Sequence, residues 1–249
     1  MARHLCSVSS AIAVVLLLST TAGYAAAPKV PAAVSAAVAD TGRPKADTDR
    51  DSGRKPAESV AFAGIKSGDK VADLLAGGGY FTRIFSKVVG DKGVVYATSF
   101  PPRPGAPSPS PLEQIAADYK NVKVVTGPPG EIKLPEPVDV VWTSLNYHDI
   151  ANGGGTEAFN KAAFAALKPG GTFIVVDHAA APGSGTNDTK ALHRIDPEVV
   201  KKEVTAAGFK LAGEGDFLKN PADPHTANVH DEGLRWHTDQ FILKFTKPK

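Results

Sequence analysis

Cysteine is almost missing from this chain of 249 residues: the one present, Cys6, precedes an apolar stretch near the N-terminus. Beyond residue 6 there is no thiol for a nucleophile and no C-x-x-C pattern for a metal. No charge of one sign predominates either. There are 28 Lys and Arg against 26 Asp and Glu, a formal net charge of +2 and no basic stripe, so nucleic acid has no electrostatic footprint to meet. A G-x-S-x-G elbow is absent, which disfavours a serine hydrolase. Internal repeats are absent as well. The uninterrupted apolar run falls short of the roughly 20 residues of a membrane-spanning helix. What is present is ordinary for a globular protein: 42% apolar and 22% charged residues, enough for one α/β domain with appendages.

The N-terminal stretch MARHLCSVSSAIAVVLLLSTTAGYAAA places Arg3 before an apolar core from Ala11 to Leu18 and small residues after it. That layout predicts a secretory signal peptide over 1–25, cleaved after Ala25, and export to the periplasm with no stable membrane insertion. Loss of Arg3 leaves 27 basic against 26 acidic residues, and the mature chain has no thiol, which suits an oxidising compartment. Residues 26–54 are rich in Ala, Pro and charge with few large apolar side chains, so they read as a flexible linker ahead of a domain over 55–249.

From Pro56 the pattern changes, with Val60, Phe62 and Ile65 opening an apolar helix face. Strand-like runs (KVADLL, GVVYATS, NVKVVTG, PVDVVWTSL, GGTFIVVDHA) then alternate with helical ones (GYFTRIFSKVV, PLEQIAADYK, TEAFNKAAFAALK, DPEVVKKEVTAAGF). FKLAGEGDFL and TDQFILKFTK close the chain with no helix between them. Nearly continuous apolar strands separated by helices predict an α/β, doubly wound, mostly parallel seven-stranded sheet with a terminal antiparallel strand pair. Ligands of such sheets sit outside the carboxyl ends of the strands.

The first strand runs into Gly77, Gly78 and Gly79, a turn whose backbone can approach a ligand at a helix N-terminus. A dinucleotide fingerprint would need glycine where this chain has Thr82. VADLLAGGGYFTRIFSKVVGDKGVVYATS resembles instead the first motif and second strand of class I S-adenosylmethionine-dependent methyltransferases. VDVVWTSLNYHDI is similar to their fourth-strand segment and LKPGGTFIVVDH to the turn and strand that follow. The resemblance runs from about residue 55 to 249, and an exported chain ending in TDQFILKF resembles a bacterial group labelled only as predicted methyltransferases. It implies a Rossmann-like methyltransferase fold with S-adenosyl-L-methionine as cofactor. On the matched positions it implies cofactor contacts at Asp73, Gly77, Gly78, Gly79, Tyr80, Ser99 and Asn146. Two positions depart from the pattern: Leu75 replaces the first glycine, and the acid that pairs with the ribose falls at Thr98 or Ser99. TGPPGEIK, in the adenine-side segment, leaves Glu131 as a displaced acid.

The fourth strand ends at Asn146, Tyr147, His148 and Asp149, the fifth at Asp177 and His178, and His193 and Arg194 follow before Asp196, which is placed to cap a helix. Histidine moves protons near neutral pH, and methyl transfer to oxygen or nitrogen needs a deprotonated acceptor. The expected catalytic set is therefore His148 as base, Asp149 orienting it or binding substrate, His178, His193, and Arg194 holding an acidic substrate. His148, Asp149, Asp177 and His178 also have the chemistry for zinc or manganese, but no close ligand spacing supports it and no metal is expected. The segment NPADPHTANVHDEGLRWHTDQF adds His225, His230 and His237 and reads as a polar excursion over the sheet edge; SFPPRPGAPSPSP reads as a stiff loop beside the ribose pocket. Two functions fit these residues: methyl transfer to a small-molecule acceptor, and an exported protein that binds a ligand on a methyltransferase fold without catalysis.

Overall fold

The computed structural model describes Met1 and residues 28–249. The signal-peptide reading of 1–25 lies, apart from Met1, outside the described residues. No helix among the described residues is long and apolar enough to cross a membrane.

Seven strands form one sheet: β1 (Lys70–Leu74), β2 (Val94–Ser99), β3 (Val122–Thr126), β4 (Val138–Ser144), β5 (Leu167–His178), β6 (Lys210–Gly215) and β7 (Gln240–Thr246). Their spatial order is β3-β2-β1-β4-β5-β7-β6. The first five are parallel, while β7 runs antiparallel to both β5 and β6, as the closing pair of the sequence predicts. Central β1 and β4 are buried on both faces, which is why their sequences are continuous apolar runs rather than alternating ones.

The helices are α1 (Ala32–Val38), α2 (Lys45–Thr48), α3 (Asp51–Arg54), α4 (Pro56–Ala63), α5 (Tyr80–Val89), α6 (Pro111–Asp118), α7 (Tyr147–Asn152), α8 (Thr156–Ala166) and α9 (Pro197–Ala206). One face of the sheet packs Trp142 under Phe81 and Phe85 of α5, with ring centroids 4.6 and 5.4 Å apart. The other buries Phe159 of α8, Val200 and Val204 of α9, and Phe173, Phe209 and Phe245. Local chemistry sets the helix starts. Ser110 and Glu113 form a capping box at α6, and the Asp196 carboxylate accepts the Glu198 N–H at the start of α9, each with Pro in the first turn.

The reading of 26–54 as a flexible linker is corrected from residue 31 onward. Val34 and Ala37 are buried in the core, and α1 packs on α4 and α5. Arg43 forms a two-pronged pair with Asp51 at 2.7 and 2.8 Å, and Asp47 pairs with both Arg50 and Arg83. Tyr80 lies beneath the guanidinium groups of Arg43, Arg50 and Arg54, 4.4–5.3 Å from its ring centre, and donates its hydroxyl to Asp51 at 2.5 Å. Few large apolar side chains are needed when charged ones are paired this densely. The segment also meets the excursion between β6 and β7: a methyl group at Gly53 would stand 1.9 Å from the carbonyl oxygen of Trp236.

Candidate functional site

The sheet reverses its winding between β1 and β4, and the turns after these strands open the crevice where ligands of such sheets bind. After β1 the backbone takes the left-handed conformation at Leu75, Gly77 and Gly79, with φ of 53°, 57° and 76°. Glycine suits position 79 twice over: its φ is left-handed, and a Cβ there would stand 2.2 Å from Cδ1 of Ile115 on α6, which would have to shift. Gly77 and Gly78 face open space, with nothing within 4 Å of where a Cβ would be. Leu75 takes a conformation that glycine adopts freely, at a cost of about 1–2 kcal/mol for a side chain there. Its N–H is held by Thr98 Oγ1 at 2.9 Å. Of the two hydroxyls at the end of β2, Thr98 is thus committed to the turn, and Ser99 faces the crevice.

Two cavities meet at Gly77, Ser99 and Phe100. One, of about 270 Å³, continues past Leu75 to Asn146 and Asp149. The other, of about 370 Å³, is walled by the proline-rich loop after β2, including Pro102, Arg103 and Pro107. Together they have the size of a small-molecule site. Phe100, 56% exposed, stands where they join. Asn146 donates to the carbonyls of Leu74 and Leu75 and to Thr143 Oγ1 at 3.2–3.4 Å, tying the end of β1 to β4 at the cavity wall.

Two of the expected contacts, Asp73 and Tyr80, and the displaced acid Glu131 are placed elsewhere. Asp73 is buried beneath the turn and accepts the Thr82 hydroxyl at 2.6 Å; it fastens α5 to β1 and lines neither cavity. Burial, only partly offset by Thr82 and Arg54, pushes its carboxyl up to about 7. Tyr80 is the anchor of the N-terminal segment and lines neither cavity. Glu131 lies in a separate cavity of about 500 Å³ between residues 130–137 and α8.

At the ends of β4 and β5 the titratable groups do converge. Nδ1 of buried His148 lies 2.8 Å from Oδ1 of Asp177, whose Oδ2 accepts the His148 backbone N–H at 2.7 Å. The expectation that Asp149 orients His148 is therefore corrected: Asp177, 29 residues away in the chain and fully buried, does so, and Asp149 is 59% exposed on the Nε2 side at 3.5 Å. Burial opposes the charged form of His148, but the charge and hydrogen bond of Asp177 and the charge of Asp149 outweigh it and raise its pKa above the usual imidazole value. Burial likewise opposes charge on Asp177, and His148, His178 and the His148 backbone N–H hold it below the usual carboxylate range. His193 brings Nδ1 to 3.3 Å from Nε2 of His148 and 3.6 Å from Asp149.

His178 and Arg194 stand apart from this convergence. The ring of His178 is 6.0 Å from that of His148, its Nδ1 lies 2.7 Å from Thr238 Oγ1, and burial pushes its pKa down to about 3, so it is neutral. Arg194 is corrected from substrate ligand to structural bolt. Fully buried, it donates to both carboxylate oxygens of Asp223 at 2.8 and 3.0 Å and to the carbonyls of Ala179 and Ala227. It locks the excursion of residues 216–239 onto the end of β5. Within that excursion His225 pairs with Asp239, while exposed His230 stacks edge-on against His193 with ring centres 5.0 Å apart.

No protein-family model matches the chain. A protein-L-isoaspartate O-methyltransferase of Methanococcus aeolicus is 27% identical over 147 residues, which cover 58% of this chain; the chain spans 60% of the length of that curated relative. Among solved structures, an S-adenosylmethionine-dependent methyltransferase from Aquifex aeolicus superposes with a TM-score of 0.53 at 18% identity, over 75% of this chain and 86% of its own. An arsenic(III) S-adenosylmethionine methyltransferase from Chlamydomonas reinhardtii gives 0.56 at 18% identity, over 88% of this chain and 74% of its own. A TehB-like methyltransferase from Corynebacterium glutamicum gives 0.51 at 16%, over 75% and 84%. At these identities the likeness is one of fold, and the fold is the methyltransferase one.

Proposed function

We propose that this protein transfers a methyl group from S-adenosylmethionine to a small-molecule acceptor. The observation that carries this reading is the position of Asp149. It lines the cavity beside Gly77 and stands 3.5 Å from Nε2 of His148, so the glycine turn and the titratable cluster share one rim. The residues fit the cofactor. Gly77 and Gly78 leave open space for close approach, the N-terminus of α5 supplies free N–H groups, and Ser99 offers a hydroxyl to a ribose. Phe100 presents an apolar face to a flat ring. When bound, the cofactor supplies an electrophilic methyl group on a sulfonium.

The chain's own residues hold and deprotonate the acceptor. Asp177 keeps the proton of His148 on Nδ1, leaving the Nε2 lone pair toward the rim, and the raised pKa suits proton uptake near neutral pH. Exposed Asp149 hydrogen-bonds the acceptor. Positioning supplies most of the rate, because displacement at a methyl group needs its partner in line. Residues 1–25 further support export, which fractionation of the producing cells checks by locating the protein outside the cytoplasm.

Titration calorimetry with S-adenosylmethionine and S-adenosylhomocysteine tests the reading. Binding of both is expected, and His148→Ala is expected to keep it while abolishing transfer. An absence of heat up to millimolar ligand refutes it. Ser99 in place of an acid supports a second reading, a binding protein without catalysis, which predicts ligand binding with no transfer to any acceptor.

A further inference from the structure

Nε2 of His148, Oδ1 of Asp149 and Nδ1 of His193 form a triangle with sides of 3.3, 3.5 and 3.6 Å. We propose that these three atoms are the protein ligands of a tetrahedral divalent metal ion, zinc by donor set, whose fourth position opens to the cavity beside Gly77. An ion bound at about 2.0–2.2 Å in tetrahedral geometry sets its ligand atoms about 3.3–3.6 Å apart, and all three sides fall at that spacing. Two neutral imidazoles and one carboxylate are the donors zinc takes in sites that keep one position for water or substrate.

The proton inventory points the same way. Nδ1 of His148 donates to Asp177, so its Nε2 carries a lone pair; an ionised Asp149 accepts only. With both imidazoles neutral there is at most one proton, on Nδ1 of His193, between the three converging atoms, and a cation satisfies all of them. The surroundings are those of a metal site too. A ligating histidine ordinarily donates its other N–H to a carboxylate that fixes its tautomer, as Asp177 does while receiving backbone N–H groups from His148 and His178 at 2.7 and 2.8 Å. His193 is held toward the cluster by a left-handed backbone, φ 55°, next to the buried Arg194–Asp223 pair. Asp149 belongs both to the triangle and to the cavity wall. This set differs from the combination with Asp177 and His178 that strand ends alone suggest: Asp177 stands behind His148, and His178 is turned to Thr238.

Nε2 of His148 takes a proton or an ion, not both. With the ion bound, His148 and Asp149 would serve as its ligands in place of the base and hydrogen-bonding roles given above, the ion would hold the acceptor's heteroatom, and the acceptor's proton would leave to solvent, a consequence that rests on the methyl-transfer reading. Ion binding itself does not. The acceptor class would then be one that ligates zinc: a thiol, a phenol or another acidic hydroxyl.

The test uses the full chain, stripped with chelator and titrated with zinc in calorimetry and with cobalt(II) in visible absorption, without S-adenosylmethionine. One ion per chain is expected, with an intense tetrahedral cobalt spectrum. His193→Ala and Asp149→Asn should each weaken zinc by about a hundredfold or more, and Asp177→Asn, a positioning change, by about 10–100-fold. His230→Ala should stay within about threefold of the parent. His193 and Asp149 are both solvent-accessible, and unchanged circular dichroism of their variants establishes that folding is intact. No stoichiometric uptake, or His193→Ala and Asp149→Asn binding like the parent, overturns the site. So does loss of zinc on His230→Ala alone, which would place the ion in the excursion. Zinc uptake is measured without S-adenosylmethionine, and the cofactor titration is repeated with chelator present, so failure of either proposal leaves the other standing.

Discussion

Replacing Asp73 by asparagine removes one buried ionisable group and almost no volume, which isolates an electrostatic cost beneath the glycine turn. Asp73 is 4% exposed, its Oδ2 accepts the Thr82 hydroxyl at 2.6 Å, and burial raises its pKa to about 7. In the unfolded chain the value is about 3.9. The folded state therefore keeps this proton over a range where the unfolded state has lost it. Stability from the group is fully present below about pH 4 and falls by about 1.4 kcal/mol per pH unit until pH rises through about 7, where it is gone. The whole interval is worth roughly 4 kcal/mol, of the order of a small domain's net stability. The amide of the Asp73→Asn variant does not titrate, and every other group is shared, so subtraction isolates the contribution of this one carboxyl. Urea denaturation of both proteins between pH 5 and 8 should show the parent losing roughly 3 kcal/mol relative to Asp73→Asn over that span. A difference that does not change with pH, or grows in the parent's favour as pH rises, refutes the burial argument and puts Asp73 in a hydrated or tightly paired setting.

The buried Arg194–Asp223 pair makes a second prediction: Arg194→Ala or Asp223→Ala should each cost about 3–5 kcal/mol in denaturant unfolding, and the double variant clearly less than their sum, because each single change strands a buried charge. Additive losses would show that the two do not act as a pair. Ser99→Asp should restore a charge-assisted bond to the ribose, worth about 1 kcal/mol over the hydroxyl, and tighten S-adenosylmethionine roughly fivefold in calorimetry. Unchanged or weaker binding would move the ribose away from the end of β2.

Sheet and turn were legible because their signals are local. Continuous apolar runs such as VDVVWTS and TFIVVD can only be doubly covered strands, and glycines at 77–79 announce a backbone that must bend and be approached. The segment before α4 was not legible, since composition counts apolar side chains, while what orders this stretch is pairing: Arg43 with Asp51, Asp47 with Arg50 and Arg83, and three guanidinium groups over Tyr80. Those partners lie up to 37 residues apart, from Arg43 to Tyr80. The same blindness explains Arg194. Beside His193 it looks like a ligand for an acid, and its actual acid is 29 positions downstream in an excursion with no regular structure. For His148 the strand ends were readable and the facing carboxylate was not, because Asp149 is its neighbour in sequence and Asp177 its partner in space.

Backbone strain bears on whether the turn is a working site or a relic. Three non-glycine residues with positive φ lie at the ends of the central strands or beside the histidine cluster: Leu75 after β1, Leu145 after β4, and His193 beside His148, at 53°, 59° and 55°. Each costs about 1–2 kcal/mol relative to an ordinary conformation. A turn that had lost its ligand would gain by relaxing Leu75, whose side chain already partly packs on the core. It is instead held by Thr98 Oγ1 on its N–H and by Asn146 on its carbonyl, while Leu145 is held by the Val176 carbonyl. Hydrogen bonds from three different strands and their ends thus maintain a geometry that local preference opposes. At Leu75 the strain belongs to the turn that leads to the open space at Gly77 and Gly78, and at His193 it accompanies the 3.3 Å approach of Nδ1 to Nε2 of His148. Leu75 therefore puts a side chain on the crevice wall while its backbone stays in the left-handed conformation that glycine favours.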